Sequence, residues 1–402
     1  MNYVEQARTK VPMKLYPFKK NVFVPNAIPM GLFGLAYRQV GGFFETPGIR
    51  GTSHLMEHLI CKPFDDMREE LTSLSIDHNA YTSDNQIVFY FSGLTEELKT
   101  VVERLYERIT KPGSEPWTRE GFEAEKSTVI QEYGDNFNSQ ESGFYWNLMR
   151  RHYGYCGAIG LLEDIQSFTY EQSLVRAAEF SVPSIICQVG EEFIKPFDTS
   201  SDNVTSLGMT DGTGSVMMVG SKNPPQIKFG EYDLPQEAVV KDNKTIVGLL
   251  GRYPTDIKDV QIMSFLISCI NGGLEAPLYD EIREKRGLSY YSAGESIYVG
   301  ERCLPMFFAS TTEDNVSKLE NVYRNFFELS PDEAFSVARF NAVKKAFSVK
   351  RRIVDVLPHA GAKTMVLGDI NPFDGIAELT YHQALDKYDD LFRYASYVPV
   401  KY

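Results

Sequence analysis

The chain has 402 residues, a formal net charge of −13 at pH 7 and an apolar content of 43%. Its length exceeds that of one ordinary hydrophobic core and indicates two domains of about 200 residues each. The negative charge argues against nucleic acid as a partner, and no apolar run approaches the ~18 residues that a membrane span requires, so we expect no membrane partner either.

The sequence of the N-terminal region predicts no secretory signal. It lacks the apolar segment of a signal peptide, and Pro12 and Pro17 interrupt an amphipathic transit helix. The chain has five cysteines, an odd number without C-x-x-C spacing. This pattern argues against a disulfide framework and for a reducing compartment. We therefore expect a cytoplasmic protein, with an organellar matrix as the alternative.

The first predicted elements are a strand over residues 21–40 and a helix that carries His54, Glu57 and His58. These three residues form an H-x-x-E-H motif in a chain with only six histidines. Residues four apart lie on one face of a helix, so the two imidazoles can bind one zinc ion. Glu57 projects near the same face and can accept a proton from a metal-bound water. The sequence Gly-Thr-Ser at 51–53 supplies N-cap chemistry, and the alternative interpretation is a helix with two satisfied core histidines.

A strand at 79–92 and an amphipathic helix over Thr95–Thr110 are predicted next, followed by a long helix from about residue 118. A catalytic zinc needs a third protein ligand and an open position. Glu125 and Glu132 lie seven residues apart on the long helix, about two turns, and so share one face. We expect Glu132 to bind the metal and Glu125 to hydrogen-bond to a ligand and orient it.

The predicted domain boundaries follow from composition. A strand at Ile185–Val189 closes a catalytic zinc-binding domain over residues 1–200. Residues 201–220 are rich in Ser, Thr, Asp and Gly and are expected to form a linker. A second domain over 221–402 lacks the metal-ligand set.

The two halves share a short repeat. Thr-Tyr-x-Gln occurs at 169–172 and at 380–383, an offset of 211 residues. The same offset places Asn79 over Tyr290 and the metal helix over an apolar helix at 260–269. We therefore predict a duplicated scaffold in which only the first copy has the zinc site. Strands with helices packed to one side indicate an α+β fold.

Within the second half, the sequence predicts a helix over Pro277–Arg286, a stop at Gly287 and a strand over Leu288–Tyr291. From the local pattern alone, we expect Arg283 to form a surface salt bridge and Tyr290 to occupy a half-buried position in the strand.

The chain resembles the pitrilysin family of zinc peptidases, M16, and in particular the short two-domain type of the mitochondrial processing peptidase subunits. In that family H-x-x-E-H is followed, roughly seventy residues later, by a ligand glutamate within E-x6-E. His54, Glu57, His58, Glu125 and Glu132 match this pattern. The run at 41–51 resembles the family's G-S-x-x-E segment.

Two further segments carry the resemblance. Asn79, Ala80 and Tyr81 match the family's N-A-x-T edge strand, which pairs with the substrate backbone. Arg283 and Tyr290 match an arginine and a tyrosine that reach the active site opposite the metal. The resemblance implies that Tyr290, helped by Arg283, binds the substrate carbonyl or the oxyanion.

The resemblance also implies the architecture and activity. It implies two homologous domains, each a mostly antiparallel sheet with helices on one side, that form half of a clam-like chamber. The activity would be that of a zinc-dependent endopeptidase, with one Zn²⁺ per active site, acting on short or unfolded peptides bound as an added edge strand. Family members of this length act in pairs, which implies a homodimer or a heterodimer with composite sites. The alternatives are a non-catalytic peptide-binding or scaffold subunit of a heteromeric complex, and a hydrolase of another amide.

Overall fold

A computed structural model of the protein describes residues 20–24, 28–38, 40–83, 86–111, 116–138, 156–195, 209–210, 216–217, 244–250, 255–256, 259–273, 275–299, 302–356, 375–393 and 398–401. The described elements divide into two compact units on either side of residue 235. Most of the predicted linker at 201–220 lies outside the described residues.

The first unit contains a five-stranded sheet with the order β1-β5-β2-β4-β3. Strand β1 runs parallel to β5, and the other neighbours are antiparallel. The strands are β1 Lys20–Val24, β2 Met30–Arg38, β3 Asp77–Thr82, β4 Gln86–Leu94 and β5 Ile185–Val189. A separate two-stranded ribbon pairs β6 Met209–Thr210 with β7 Val216–Met217.

Two of the strands predicted in this unit each correspond to a pair of shorter strands in the structure. The prediction at 21–40 was wrong, since β1 ends at Val24 and β2 begins at Met30. The sequence between them contains Pro25 and Pro29, and proline lacks the N–H donor that a strand interior needs. The prediction at 79–92 was wrong because the chain turns after Ser83, whose N–H donates to the carbonyl of Gln86 at 2.8 Å. Strands β3 and β4 are therefore a hairpin rather than one strand.

Helices pack against the sheet of the first unit. They are α1 Thr52–Cys61, α2 Arg68–Ser73, α3 Thr95–Thr110, α4 Arg119–Asn138, α5 Leu162–Ser167 and α6 Tyr170–Ala177. The predicted bounds of α3 are confirmed, and its apolar stripe, including Leu98, Val102 and Leu105, is buried. This stripe joins Phe33 and Phe89 of the sheet in one core, which places α1 and α4 on the same side of the sheet.

The second unit repeats this arrangement. Its sheet has the order β10-β11-β8-β12, with a short β9 beside β11, and all described neighbours are antiparallel. The strands are β8 Lys244–Leu250, β9 Thr255–Asp256, β10 Ser292–Val299, β11 Arg302–Thr312 and β12 Val398–Lys401. The helices are α7 Val260–Asn271, α8 Pro277–Tyr279, α9 Val316–Phe327, α10 Pro331–Ala334, α11 Val337–Val356 and α12 Tyr381–Tyr388. The order β3-β4-β2-β5 thus corresponds to β10-β11-β8-β12.

The repeated Thr-Tyr-x-Gln segment has the same structure in both units. Thr169 and Thr380 each cap a helix, α6 and α12, and each forms a reciprocal capping box with the glutamine three residues later. The constant offset fails at the edge strand, because Tyr290 precedes β10 instead of lying in a strand equivalent to β3. The α+β class is confirmed. None of the described helices combines the length and the apolar content that crossing a bilayer requires.

Candidate metal centre

The three predicted metal ligands lie together on α1 and α4. His54 and His58 occupy neighbouring turns of α1, with ring centroids 4.8 Å apart. Glu132 of α4 faces them, with Oε2 3.5 Å from His54 Nε2 and 3.7 Å from His58 Nε2. The three ligand atoms all lie within 4.8 Å of one another. The alternative of two satisfied core histidines does not fit, because both imidazoles face this carboxylate and remain partly exposed.

This donor set fits a zinc ion. Atoms bound at ~2.1 Å in a tetrahedral site are about 3.4 Å apart, close to the two distances between the histidines and Glu132. Two imidazole nitrogens and one carboxylate oxygen are ordinary zinc ligands, and three protein ligands leave one position open. The residues present could therefore hold one catalytic zinc ion.

Glu125 contacts the side of His58 that points away from Glu132. Its Oε2 lies 3.3 Å from His58 Nδ1. A carboxylate can only accept a hydrogen bond, so Nδ1 carries the proton and leaves Nε2 free to bind metal. Val129, one turn along the same face of α4, is buried at 1% exposure. The predicted face of α4 thus supplies both carboxylates.

Glu57 lies on α1, between His54 and His58, and is buried, at 8% exposure. Its Oε2 accepts a hydrogen bond of 2.6 Å from Thr82 Oγ1. Burial raises the pKa of this carboxyl above its ordinary value, and the hydrogen bond from Thr82 opposes the shift without cancelling it. A raised pKa moves a carboxylate toward the range in which it can both accept and return a proton near neutral pH.

Burial also affects His54. Burial and, to a smaller extent, the neighbouring His58 lower the pKa of this imidazole to about 4. His54 is therefore neutral at physiological pH, the form in which imidazole binds metals.

The start of α1 differs from the prediction. Gly51, at the N-cap, has a left-handed φ of 91°, and no side chain at 51–53 caps the helix. The carboxylate of Glu45 accepts from the N–H groups of Gly51 and Ser53 instead. A buried carboxylate there satisfies two donors that the helix leaves unpaired and interacts favourably with the helix dipole.

Arg176 of α6 completes this buried network. Its guanidinium donates to the hydroxyls of Thr52 and Ser53 and lies 3.6 Å from Glu45. Arg176 and Glu45 are exposed by only 4% and 2% of their side chains. Sequence reasoning missed Arg176. Its only signal was its place seven residues after the Thr169 cap.

The loop before α1 is held by a second carboxylate that sequence reasoning missed. Asp164 accepts hydrogen bonds from the N–H groups of Gly48 and Arg50 and from the Arg50 guanidinium, at 2.9, 3.1 and 2.8 Å. Gly160 has a φ of 69°, and a Cβ there would lie 2.1 Å from Gly51 N. Only glycine allows this close approach, which brings α5 against the start of the metal helix.

The predicted substrate-binding residues lie on β3, beside the metal centre. Asn79, Ala80 and Tyr81 belong to this strand, which is at the edge of the sheet and, among the described strands, pairs with β4. Between β3, α1 and α4 is a cavity of about 400 Å³. Its lining includes Glu57, His58, Lys62, His78, Asn79 and Glu125.

Arg283 and Tyr290 lie in the second unit, close to each other. The Arg283 guanidinium carbon is 4.5 Å from the centre of the Tyr290 ring, and Tyr290 is 81% exposed. The predicted helix over Pro277–Arg286 is α8 continued by a wider π-helical turn, and Gly287 ends it with a φ of 58°. The predicted strand over Leu288–Tyr291 was wrong, because the Ser289 side chain bonds to Tyr291 and β10 begins at Ser292.

Two family models match the chain. Residues 37–152 match the model described as insulinase, peptidase family M16, and residues 218–347 match the model described as peptidase M16 inactive domain. The first match contains His54, His58 and Glu132, and the second contains Arg283 and Tyr290.

Individual relatives agree with these matches. A protein of Rickettsia bellii (strain RML369-C) named "uncharacterized zinc protease" is 22% identical over 320 residues, which cover 75% of this chain and 74% of that protein. The crystal structure of a protease from Helicobacter pylori has a TM-score of 0.75 at 18% identity and covers 96% of this chain and 97% of its own. A peptidase M16 inactive domain from Pseudomonas fluorescens has a TM-score of 0.70 at 15% identity, with coverage of 96% and 95%.

Proposed function

The chain belongs to peptidase family M16, and from this membership and the geometry of its metal centre we propose that it is a zinc-dependent endopeptidase. The position of Glu57 carries the proposal. It shares helix α1 with both histidine ligands and accepts a hydrogen bond from Thr82 of the edge strand β3. A general base, a metal-ligand set and a strand that could pair with a peptide therefore lie side by side.

In the proposed reaction, His54, His58 and Glu132 hold the metal. Bound zinc would supply Lewis acidity, polarising the scissile carbonyl and lowering the pKa of water. Glu57 takes the proton from the attacking water and returns it to the leaving amine. Thr82 holds the Glu57 carboxylate in place through its 2.6 Å hydrogen bond.

The proposed substrate is an extended peptide. A peptide that pairs with the outer edge of β3, along Asn79, Ala80 and Tyr81, would pass the Glu57 carboxylate. Main-chain hydrogen bonds recognise an extended backbone rather than a sequence. We therefore expect short or unfolded polypeptides to be cleaved and folded proteins to be spared.

We assign Arg283 and Tyr290 to stabilisation of the substrate carbonyl as it becomes an oxyanion, in a site completed by a second chain. The exposed Tyr290 hydroxyl can donate, and the adjacent guanidinium supplies positive charge. Loss of one such donor costs about 3 kcal/mol of barrier. The assembly would be a homodimer or a heterodimer.

The test is cleavage of a mixed library of unstructured peptides by purified protein, beside Glu57→Gln with matched zinc content. We expect cleavage by the unaltered chain and a loss of about 10³-fold in the variant, because the variant lacks a general base. No cleavage by either protein, with zinc bound, would overturn a peptidase that acts without another chain and favour a non-catalytic peptide-binding subunit or a heterodimer that needs its partner.

The composite site has a separate test. A mixture of Arg283→Ala and Glu57→Gln chains should regain activity, since a mixed dimer has one site with both intact contributions. Mixed chains that stay as inactive as the separate variants would refute the shared site and leave the peptidase proposal in place.

A further inference from the structure

Lys62 lies at the C-cap of α1, one turn after His58, and the proposed reaction gives it no role. Its Nζ is 3.0 Å from Glu125 Oε1, while the other oxygen of the same carboxylate is 3.3 Å from His58 Nδ1. The Glu125 carboxylate therefore bridges Lys62 and a metal ligand. The three side chains form one chain of contacts that leads from the cavity to the zinc site.

We propose that Lys62 is a positioning residue that holds Glu125 against His58 and so increases zinc affinity. The inference rests on the proposed function only in that the site binds zinc. The Glu125 side chain is 14% exposed and has lost most of its hydration, whereas Lys62 is 42% exposed. An ammonium group at 3.0 Å offsets part of that loss and restricts the carboxylate to the rotamer that reaches Nδ1. A held carboxylate keeps the imidazole in one tautomer and orientation, which strengthens metal binding.

Two other roles for Lys62 make different predictions. A surface ion pair without consequence for the metal would resemble Lys99–Glu191, whose side chains are 59% and 40% exposed. Because Lys62 also lines the cavity, it could instead contact the substrate. In that case its loss would change KM for peptides and leave zinc affinity unchanged.

The experiment measures zinc affinity of the full chain by competition with a chromophoric chelator. Lys62→Met should weaken zinc binding about tenfold, within the range for groups that orient a metal ligand. Lys62→Arg, which keeps the charge, should recover most of the affinity. Lys99→Met removes a lysine from an exposed pair in the same unit and should have no effect.

A double-variant cycle tests whether Lys62 acts through Glu125. In a Glu125→Gln background, Lys62→Met should cause no further loss, since the partner that it positions is already neutral. Unchanged affinity in Lys62→Met, or independent losses that multiply in the double variant, would overturn the proposal. Melting temperatures of the zinc-free variants identify any general loss of folding, and Lys62→Arg then remains the deciding variant.

The outcome separates this inference from the peptidase proposal. A chain that binds zinc, loses affinity through Lys62→Met and cleaves no peptide would support the role of Lys62 and refute the peptidase. A chain that cleaves peptides, and whose Lys62→Met variant keeps its zinc affinity, would support the peptidase and refute the role of Lys62.

Discussion

The two units anchor corresponding helices in different ways. In the first unit, the buried Arg176 of α6 donates to Thr52 and Ser53 at the start of the metal helix α1. In the second unit, Lys387 of α12 lies 3.1 Å from Asp259, the N-cap residue of α7. Arg176 and Lys387 are related by the same offset of 211 residues as the two capping boxes.

The anchors differ in burial as well as in chemistry. Arg176 is 4% exposed and contacts several oxygen atoms, whereas Lys387 is 37% exposed and pairs with Asp259. Among the described residues, only the first unit has a group that could hold a metal. A helix that carries two metal ligands needs a fixed position, and a helix that only fills a core does not. The scaffold thus tolerates a weak anchor where no chemistry depends on it.

The largest expected effect comes from removing the buried anchor. Arg176→Met should lower the free energy of unfolding by about 4 kcal/mol, because it leaves the buried Glu45 carboxylate without its charge partner. Lys387→Met should cost less than about 1 kcal/mol, as expected for a partly exposed pair. Urea unfolding of both variants measures the difference, and equal losses would contradict the comparison.

Removing a metal ligand from α1 should reduce zinc binding, whereas a substitution on the corresponding helix of the second unit should not. His54→Ala should lower zinc affinity by more than about 100-fold, since a direct ligand contributes more than the groups that orient it. Ser264→Ala on α7 is the matched control and should leave zinc affinity unchanged. Calorimetric titration with zinc measures both variants. Tight binding by His54→Ala would show that the metal lies elsewhere.

Asp164 gives the first unit a dependence on pH. Burial raises the pKa of this carboxyl, but the hydrogen bonds from Arg50 and Gly48 outweigh burial and hold the pKa below its ordinary value. The ionised form therefore stabilises the fold above the ordinary pKa, and that contribution is lost as the pH falls through the folded-state value. Asp164→Asn should be less stable by about 1–2 kcal/mol at pH 7, and the difference should shrink below about pH 4. A difference that stays constant from pH 7 to pH 3 would assign it to packing.

The smallest effect should be the same in both units. Thr169→Ala and Thr380→Ala each remove the side chain of a capping box, at a cost of about 1 kcal/mol. Thermal unfolding should give similar losses, because the two caps have the same hydrogen bonds. A much larger loss at Thr169 would indicate that α6 also supports the metal helix through Arg176.

Local patterns made parts of the site predictable. Spacing of four residues on α1 and seven on α4 places ligands on single helix faces, and this required no knowledge of the fold. The carboxylates that hold the start of the metal helix could not be predicted in this way. Asp164 contacts residues 114 and 116 positions away, and no periodic pattern marks such a partner.

The sequence alone determined which residues can bind a metal, that a Thr-Tyr-x-Gln segment repeats, and that the second half lacks the ligand set. These features depend on helical periodicity and on contacts within one turn. Only the tertiary structure decided that Glu45 and Arg176 fix the start of α1, that Lys62 reaches Glu125, and that Tyr290 lies before its strand. The contact between Glu45 and Arg176 depends on which buried polar groups meet after the chain has folded, because a charge removed from water needs a partner. The contact of Lys62 with Glu125 and the start of β10 depend on how separate segments of the chain pack together.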